Sequence, residues 1–182
     1  VSVDKEACPH NLAPTSSTTA ALVMGDAIAV SLISANNFTS EDFAMSHPSG
    51  SLGRRLLTLV SSIMKSGKDI PMVSKETLLI DSLLVMSEKA LGMVLIAENE
   101  KLIGIFTDGD LRRALESNID FQKLTIGDVM TKDCKSIEPQ EPALTAMQMM
   151  EKYSLNSLPV VDSSNNIVGA INMHTLIQAK LF

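Results

Sequence analysis

The residues that could carry chemistry lie in the stretch GIFTDGDLRR, where a short apolar run ends at Thr107 and Asp110 follows three positions later. A strand that ends at Thr107 and turns into a helix near Asp108 would bring a hydroxyl, a carboxylate and free backbone N–H groups to one edge of a sheet. Asp110 could accept both hydroxyls of a ribose diol, while helix N-terminal amides favour a phosphate. Arg112 and Arg113 follow on the same helix and could supply positive charge for that phosphate.

The same two residues also fit a purely structural role. Thr-x-x-Asp is a capping box, with Thr107 as the N-cap and Asp110 at the third helical position, and such a box stabilises a helix by about 1 kcal/mol without binding a ligand. Because caps occur at most helices and ligand sites at few, the motif alone favours capping. Both interpretations stay open at this level.

The elements that must position the motif occur twice in the chain. Residues 92–96, GMVLI, align with residues 157–161, SLPVV. Each copy predicts a short strand, an amphipathic helix, two strands joined by a polar turn, and a closing helix. The short strands are expected near Val73 and Ile137, and the amphipathic helices over residues 77–90 and 141–154. The chain is therefore predicted to contain a β-α-β-β-α unit twice, which makes it an α/β protein.

This tandem unit, with the motif Gly-apolar-x-Thr-x-x-Asp, resembles a pair of CBS domains over residues 56–182. The resemblance implies two modules that pack about a pseudo-twofold axis and commonly bind adenine nucleotides in their clefts. It also implies that Thr107 and Asp110 touch ribose and phosphate, with Arg112 or Arg113 nearby.

The second copy departs from the pattern. Asn172 stands at the threonine position and Thr175 at the aspartate position. Asn172 can still cap a helix, but Thr175 cannot accept a diol as a carboxylate does. His174 could offer a compensating donor, so Asn172 and His174 remain candidate ligand residues. The first copy is expected to keep the fuller ligand chemistry.

The first fifty residues have a different character. They predict an apolar helix over residues 17–36 and a short helix opened by a capping box at Thr39. A further helix is expected to carry Leu52, Leu56, Val60 and Ile63, and the opening VSVDKEACP looks like the end of a strand that enters a loop. The apolar helix has little of its own domain to cover it, so we expect it to seek a partner.

The segments APTSSTTA, MGDA and SHPSGSLGR resemble the C-terminal part of a sugar isomerase (SIS) domain. They are most similar to D-arabinose 5-phosphate isomerases, in which that domain precedes a CBS pair. The family interconverts D-ribulose 5-phosphate and D-arabinose 5-phosphate, for the octulosonate sugar of lipopolysaccharide or capsule. The resemblance implies an acid-base role for His47 and sugar-phosphate contacts for Thr15, Ser16 and Ser17.

Simpler roles are open for these residues as well. His47 precedes Pro48 and would fit a tight turn, and N-capping explains one or two of the hydroxyls at positions 15–17. The resemblance also places the phosphate-binding loop and the catalytic glutamates of the family ahead of residue 1. We therefore expect the parent protein to be a sugar-phosphate aldose-ketose isomerase and this chain to be inactive by itself.

Composition excludes several function classes. The 182 residues carry a formal net charge of −6, one Tyr, five Phe and no Trp, which argues against a nucleic-acid partner. Cys8 and Cys134 fit no metal or redox spacing, which is typical of a reducing compartment. The apolar stretch of residues 20–35 is interrupted by Asp26 and is shorter than the ~20 residues of a membrane span, so no membrane helix is expected.

These observations set the following expectations. Residues 1–55 are a mainly helical C-terminal remnant of an SIS α/β domain, residues 56–120 the first CBS domain, and residues 121–182 the second. The protein is cytoplasmic and forms a homodimer or tetramer. It requires no cofactor or metal, and its regulatory ligand is a nucleotide: AMP, ATP, CMP or a CMP-octulosonate sugar. Two alternatives are a ligand-free CBS scaffold for dimerisation and a CBS module of an unrelated transporter or enzyme.

Overall fold

The computed structural model describes residues 1–47, 50–116 and 120–181. The chain divides into two compact units, Val1–His47 and Pro48–Phe182.

The first unit is helical. It contains α1 (Ser16–Ala35) and α2 (Ser40–Ser46). The capping box of α2 is confirmed, because the Thr39 side chain accepts from the Asp42 N–H and the Asp42 carboxylate accepts from the Thr39 N–H. The strand end expected within residues 1–9 is not found: these residues are irregular, with bends and a turn, and the Asn11 N–H donates to the Cys8 carbonyl.

Helix α1 exposes its apolar side chains all along its length. None of its residues is buried, and Leu22, Val23 and Val30 are each at least 60% exposed. The expectation that this segment is too short to cross a membrane is wrong on length, because the helix starts at Ser16 and reaches 20 residues with a mean hydropathy of 1.6. One such helix is weak support for a membrane span, since core helices of soluble proteins can be equally long and apolar.

The second unit contains both predicted repeats. The first repeat has a three-stranded sheet in the order β1-β2-β3, with β1 parallel to β2 and β2 antiparallel to β3, and the second has the antiparallel pair β4-β5. Its strands are β1 (Met72–Ser74), β2 (Met93–Glu98), β3 (Lys101–Thr107), β4 (Ser157–Val161) and β5 (Ile167–Asn172). Its helices are α3 (Ser51–Leu57), α4 (Val60–Ile63), α5 (Leu79–Lys89), α6 (Asp108–Glu116), α7 (Ile126–Val129), α8 (Ala143–Tyr153) and α9 (Met173–Gln178).

The two amphipathic helices are confirmed as α5 and α8. Each ends at a residue in the left-handed region, Ala90 with φ 52° and Ser154 with φ 54°. The single helix expected to carry residues 52–63 is instead two helices, because Thr58 and Leu59 are extended and the Thr58 carbonyl accepts from the Ala143 N–H.

The prediction of a short strand near Ile137 is wrong. Ile137 makes only a single parallel bridge to Val160, with its N–H donating to the Pro159 carbonyl and its carbonyl accepting from the Val161 N–H. The next ladder bond would need an N–H at Pro139, which proline lacks, so the pairing stops after one residue.

The short helix that precedes each repeat packs into the core of the other repeat, an arrangement called here the exchange of leading helices. Val60 of α4, which precedes the first repeat, is buried in the core of the second repeat with Ile137, Met150 and Leu158. Ile126 of α7, which precedes the second repeat, is buried in the core of the first repeat. Each repeat therefore depends on a segment that leads into the other.

Pairs of backbone hydrogen bonds hold the segments that follow these helices against the other repeat at two positions. Lys65 and Ala170 bond each other through both N–H groups, at 2.8 and 3.0 Å, and Ile105 and Thr131 do the same at 2.9 and 2.8 Å. A third buried cluster, which includes Leu91, Met93, Leu95 and Ala170, joins the two sheets. The exchange brings Thr131 beside the end of strand β3.

Candidate functional site

The motif at residues 107–110 lies at the junction between β3 and α6. The N–H and hydroxyl of Thr107 donate to Oδ2 of Asp110 at 2.8 and 2.6 Å, and the Asp110 N–H donates to Oγ1 of Thr107 at 3.3 Å. The capping box read from the sequence is thus confirmed. It occupies only one of the two carboxylate oxygens of Asp110.

The other oxygen, Oδ1, has partners of a different kind. It accepts from a guanidinium N–H of Arg113 at 2.5 Å and from the hydroxyl of Thr131 at 3.2 Å. The Asp110 side chain is 10% exposed and that of Arg113 is 70% exposed. Burial raises the pKa of the Asp110 carboxyl, but the bonds from Thr107 and the Arg113 charge outweigh it and hold the pKa below its ordinary value. The carboxylate is therefore ionised at neutral pH.

A cleft of about 390 Å³ lies beside this motif, between the start of α6, residues 131–135 and residues 154–157. Thr107, Arg113 and Thr131 line it, so the three residues bonded to Asp110 face the cleft even though Asp110 itself does not. Its charged lining residues are of both signs: Asp108, Asp133, Arg112, Arg113 and Lys135. The cleft can therefore take a ligand that presents both hydroxyl donors and an anionic group.

Sequence reasoning missed part of this cleft. Asp108 lines it and also lines a second cavity of about 380 Å³ with Leu83, Met86 and Leu111. Thr131 and Lys135 come from the segment between the repeats, where no internal match draws attention to them. Asp108 could have been found, since it is part of the motif itself.

The second repeat carries a neutral version of the same cap. Oδ1 of Asn172 accepts from the N–H of Thr175 at 3.0 Å and from its hydroxyl at 2.8 Å. His174 Nε2 lies 2.9 Å from the side-chain nitrogen of Gln178. Asn172 and Thr175 thus come together as predicted for a cap, and His174 bonds along its own helix.

In the first unit, Thr15 and Ser17 are brought together by a carboxylate that sequence reasoning missed. Oε2 of Glu6 accepts from the N–H of Thr15 at 2.7 Å, from its hydroxyl at 3.0 Å and from the N–H of Ser17 at 3.2 Å. Hydrogen bonds from Ser17 and Thr15 lower the pKa of Glu6 to about 2. A phosphate at the start of α1 would need some of the same N–H groups, so it would compete with Glu6.

His47 lies at the end of α2. Its ring stacks on Phe43, with centroids 4.7 Å apart and 18° between the planes. The backbone N–H of His47 donates to the Phe43 carbonyl at 3.1 Å. In the described ranges no hydrogen bond links His47 to residues 15–17. Those ranges also contain no cluster of three His, Cys, Asp or Glu residues that could hold a metal ion.

Comparison with known proteins assigns the second unit. The family model for the CBS domain matches residues 60–117 and 126–181, so the chain belongs to the CBS domain family, as a tandem pair. The predicted α/β fold with two CBS domains is confirmed. The CBS pair of protein MJ0100, solved with 5′-methylthioadenosine and S-adenosyl-L-methionine, superposes with a TM-score of 0.58 at 25% identity, over 66% of this chain and 98% of that one.

The predicted resemblance to arabinose 5-phosphate isomerases is also confirmed. The chain is 52% identical over 98% of its length to arabinose 5-phosphate isomerase KdsD of Francisella tularensis, and 51% identical over 98% to that of Pseudomonas aeruginosa. It covers 55% of each relative, so the chain spans about half the length of the curated relatives it matches.

Proposed function

We propose that this chain is the regulatory CBS pair, with part of the preceding sugar isomerase domain, of a cytoplasmic arabinose 5-phosphate isomerase. The identity of about one half to KdsD proteins along nearly all of the chain supports the assignment. In this proposal residues 1–55 belong to the isomerase domain, 56–120 to the first CBS domain and 121–182 to the second. The parent interconverts D-ribulose 5-phosphate and D-arabinose 5-phosphate, and this chain by itself shows no turnover.

Within the isomerase part, His47 would serve as the acid-base group of the parent enzyme. An imidazole can both accept and donate a proton, which the transfer between two carbons of the sugar requires. Thr15, Ser16 and Ser17 would contact the sugar phosphate only if Glu6 yields the amides that it now holds.

The cleft beside Thr107 and Asp110 binds a nucleotide or nucleotide sugar in this proposal. The observation that carries it is that the three partners of the Asp110 carboxylate, Thr107, Arg113 and Thr131, line a cleft together with Arg112 and Lys135. The adenosine compounds bound by the CBS pair of MJ0100 support a ligand with a ribose diol. AMP, ATP, CMP and a CMP-octulosonate sugar are the candidates, and no further cofactor is required.

Calorimetric titration of the chain with these four compounds tests the proposal. We expect one of them to bind and Asp110→Ala to abolish that binding, while unfolding stability falls by only about 1 kcal/mol through the lost cap. The matched control is Asp128→Ala, because Asp128 accepts from the N–H and hydroxyl of Thr125 at 2.9 and 2.7 Å in an equivalent capping box. Asp128→Ala should cost similar stability and leave binding intact.

A second candidate function is a dimerisation scaffold that binds no nucleotide. Its support is that the Asp110 carboxylate accepts four hydrogen bonds from Thr107, Arg113 and Thr131, and that the second repeat has a neutral cap. If none of the four compounds binds, or if Asp110→Ala and Asp128→Ala both leave binding unchanged, the scaffold is the better account of Asp110.

Helices α5 and α6 support the proposal that the chain forms a homodimer, or a tetramer built from such dimers. Leu84 of α5 is 67% exposed, Leu115 of α6 is 59% exposed, and Ile80 lies one turn from Leu84 at 42%. Exposed apolar side chains of this kind are typical of an interface when they form a patch. Leu84→Glu should therefore lower the mass measured by light scattering, whereas Leu12→Glu, which alters an exposed leucine of the first unit, should not. An unchanged mass in Leu84→Glu would exclude this surface.

A further inference from the structure

We propose that Met64 and Met130 are modification sites for peroxide, and that their oxidation to methionine sulfoxide loosens the exchange of leading helices. The inference goes beyond the proposed function, because it does not require that the cleft binds a nucleotide. It concerns two methionines that the lining of that cleft does not include.

The two methionines occupy equivalent positions in the exchange. Met64 follows the last residue of α4, and Met130 follows the last residue of α7. The next residue, Lys65 or Thr131, makes the pair of backbone hydrogen bonds that holds its segment against a strand of the other repeat. A change that displaces either methionine therefore acts directly on the neighbouring pair of bonds.

Each methionine sulfur packs against a glycine of that strand, with no room to spare. A Cβ on Gly104 would lie 2.8 Å from the sulfur of Met130 and 2.9 Å from the carbonyl oxygen of Thr131. A Cβ on Gly169 would overlap the sulfur of Met64 and would lie 3.0 Å from the carbonyl oxygen of the residue after it. Neither contact can take one more atom between the sulfur and the strand.

Hydrogen peroxide converts a thioether to a sulfoxide in one balanced step. The sulfur attacks one peroxide oxygen, the O–O bond breaks, a sulfur–oxygen bond forms and water leaves. The sulfur thereby loses two electrons and the peroxide gains them. Met64 and Met130 are only partly buried, so a small oxidant reaches them, whereas Met93 and Met150 are at most 1% exposed.

The sulfoxide loosens the contact because its new oxygen is polar. The polar atom that shares each contact is the carbonyl oxygen of Lys65 or Thr131, which accepts hydrogen bonds and cannot donate one to the sulfoxide. A buried acceptor without a donor costs free energy, so the oxidised side chain leaves the glycine. The adjacent backbone pair then opens more often, until a sulfoxide reductase restores the thioether.

Hydrogen exchange of the 182-residue chain, before and after treatment with hydrogen peroxide, tests this inference. Oxidation at Met130 should lower the protection of the Ile105 and Thr131 amides by about 10-fold or more, because these amides form the neighbouring pair of bonds. Oxidation at Met64 should do the same for the amides of residues 65 and 170. Peptide mass spectrometry identifies which methionines have been oxidised.

Two variants separate the sites, since leucine has nearly the volume of methionine and resists peroxide. Met130→Leu should keep residues 105 and 131 protected after treatment while residues 65 and 170 lose protection, and Met64→Leu should show the reverse. The control is Met72→Leu, because Met72 is 46% exposed in β1 and its oxidation should leave all four amides unchanged. A methionine sulfoxide reductase should restore the original protection.

Three results would overturn the inference. Met64 and Met130 could stay unoxidised after Met72 is fully converted, which would show that peroxide does not reach them. Both could be oxidised while the four amides exchange as before. All amides of the second unit could lose protection together, which would make oxidation a general cause of unfolding. Each of these results leaves the proposed binding of a nucleotide untouched.

Discussion

Replacing Ile126 with alanine is expected to lower the free energy of unfolding of the second unit by about 2–5 kcal/mol, because the change leaves a cavity in a packed core. Ile126 is fully buried among Leu79, Val94 and Phe106, although it precedes the second repeat in the chain. Its N–H also donates to the Thr77 carbonyl at 2.8 Å, so the helix cannot easily move to fill the space. Urea unfolding followed by circular dichroism measures the loss.

The matched control for this change is Ile177→Ala. Ile177 is 54% exposed on α9, so the same truncation there should change stability by less than about 1 kcal/mol. A loss at Ile126 no greater than that at Ile177 would mean that α7 is not part of the core of the first repeat. The exchange of leading helices would then be wrong.

Gly104→Ala is expected to destabilise the unit by about 1–3 kcal/mol, because an added methyl group has no room at this position. A Cβ on residue 104 would lie 2.8 Å from the sulfur of Met130 and 2.9 Å from the carbonyl oxygen of Thr131. The Met130 side chain can move, but that carbonyl accepts the N–H of Ile105 and is fixed. Because Thr131 must shift, nucleotide binding should weaken as well as stability.

Gly109→Ala provides the comparison for Gly104. A Cβ at residue 109 meets its nearest neighbour, the hydroxyl oxygen of Thr107, at 3.5 Å, which is an ordinary contact. Since alanine favours a helix over glycine by up to about 1 kcal/mol, this variant should be as stable as the unaltered chain or more so. Thermal unfolding of the two variants in parallel separates them, and equal melting temperatures would contradict the close packing at Gly104.

The sequence allowed the local elements of the fold to be predicted. Helices α5 and α8 followed from apolar residues at helical spacing, and the caps at Thr39, Thr107 and Asn172 followed from a polar residue placed three positions before its partner. These features depend on residues close together in the chain, so a short window of sequence contains the physical information that determines them.

The features that the sequence did not predict depend on distant partners. The burial of Ile126 in the other repeat, the contact of Thr131 with Asp110 and the bonds from residues 15–17 to Glu6 all join segments that no local pattern relates. The missing strand at Ile137 has a local cause, since Pro139 stops its ladder, but the importance of that proline becomes clear only once the partner strand is known.

The measurement that tests the central claim most directly is a map of backbone amide chemical shifts as AMP, or the compound that binds most tightly in calorimetry, is added to the chain. A nucleotide in the cleft should shift the amides of Gly92, residues 107–113, residues 131–135 and residues 154–157, and the shifts should saturate at the calorimetric affinity. Saturable shifts confined to residues 172–178 or to α1, with the cleft amides unmoved, would contradict the claim that the first motif holds the regulatory ligand.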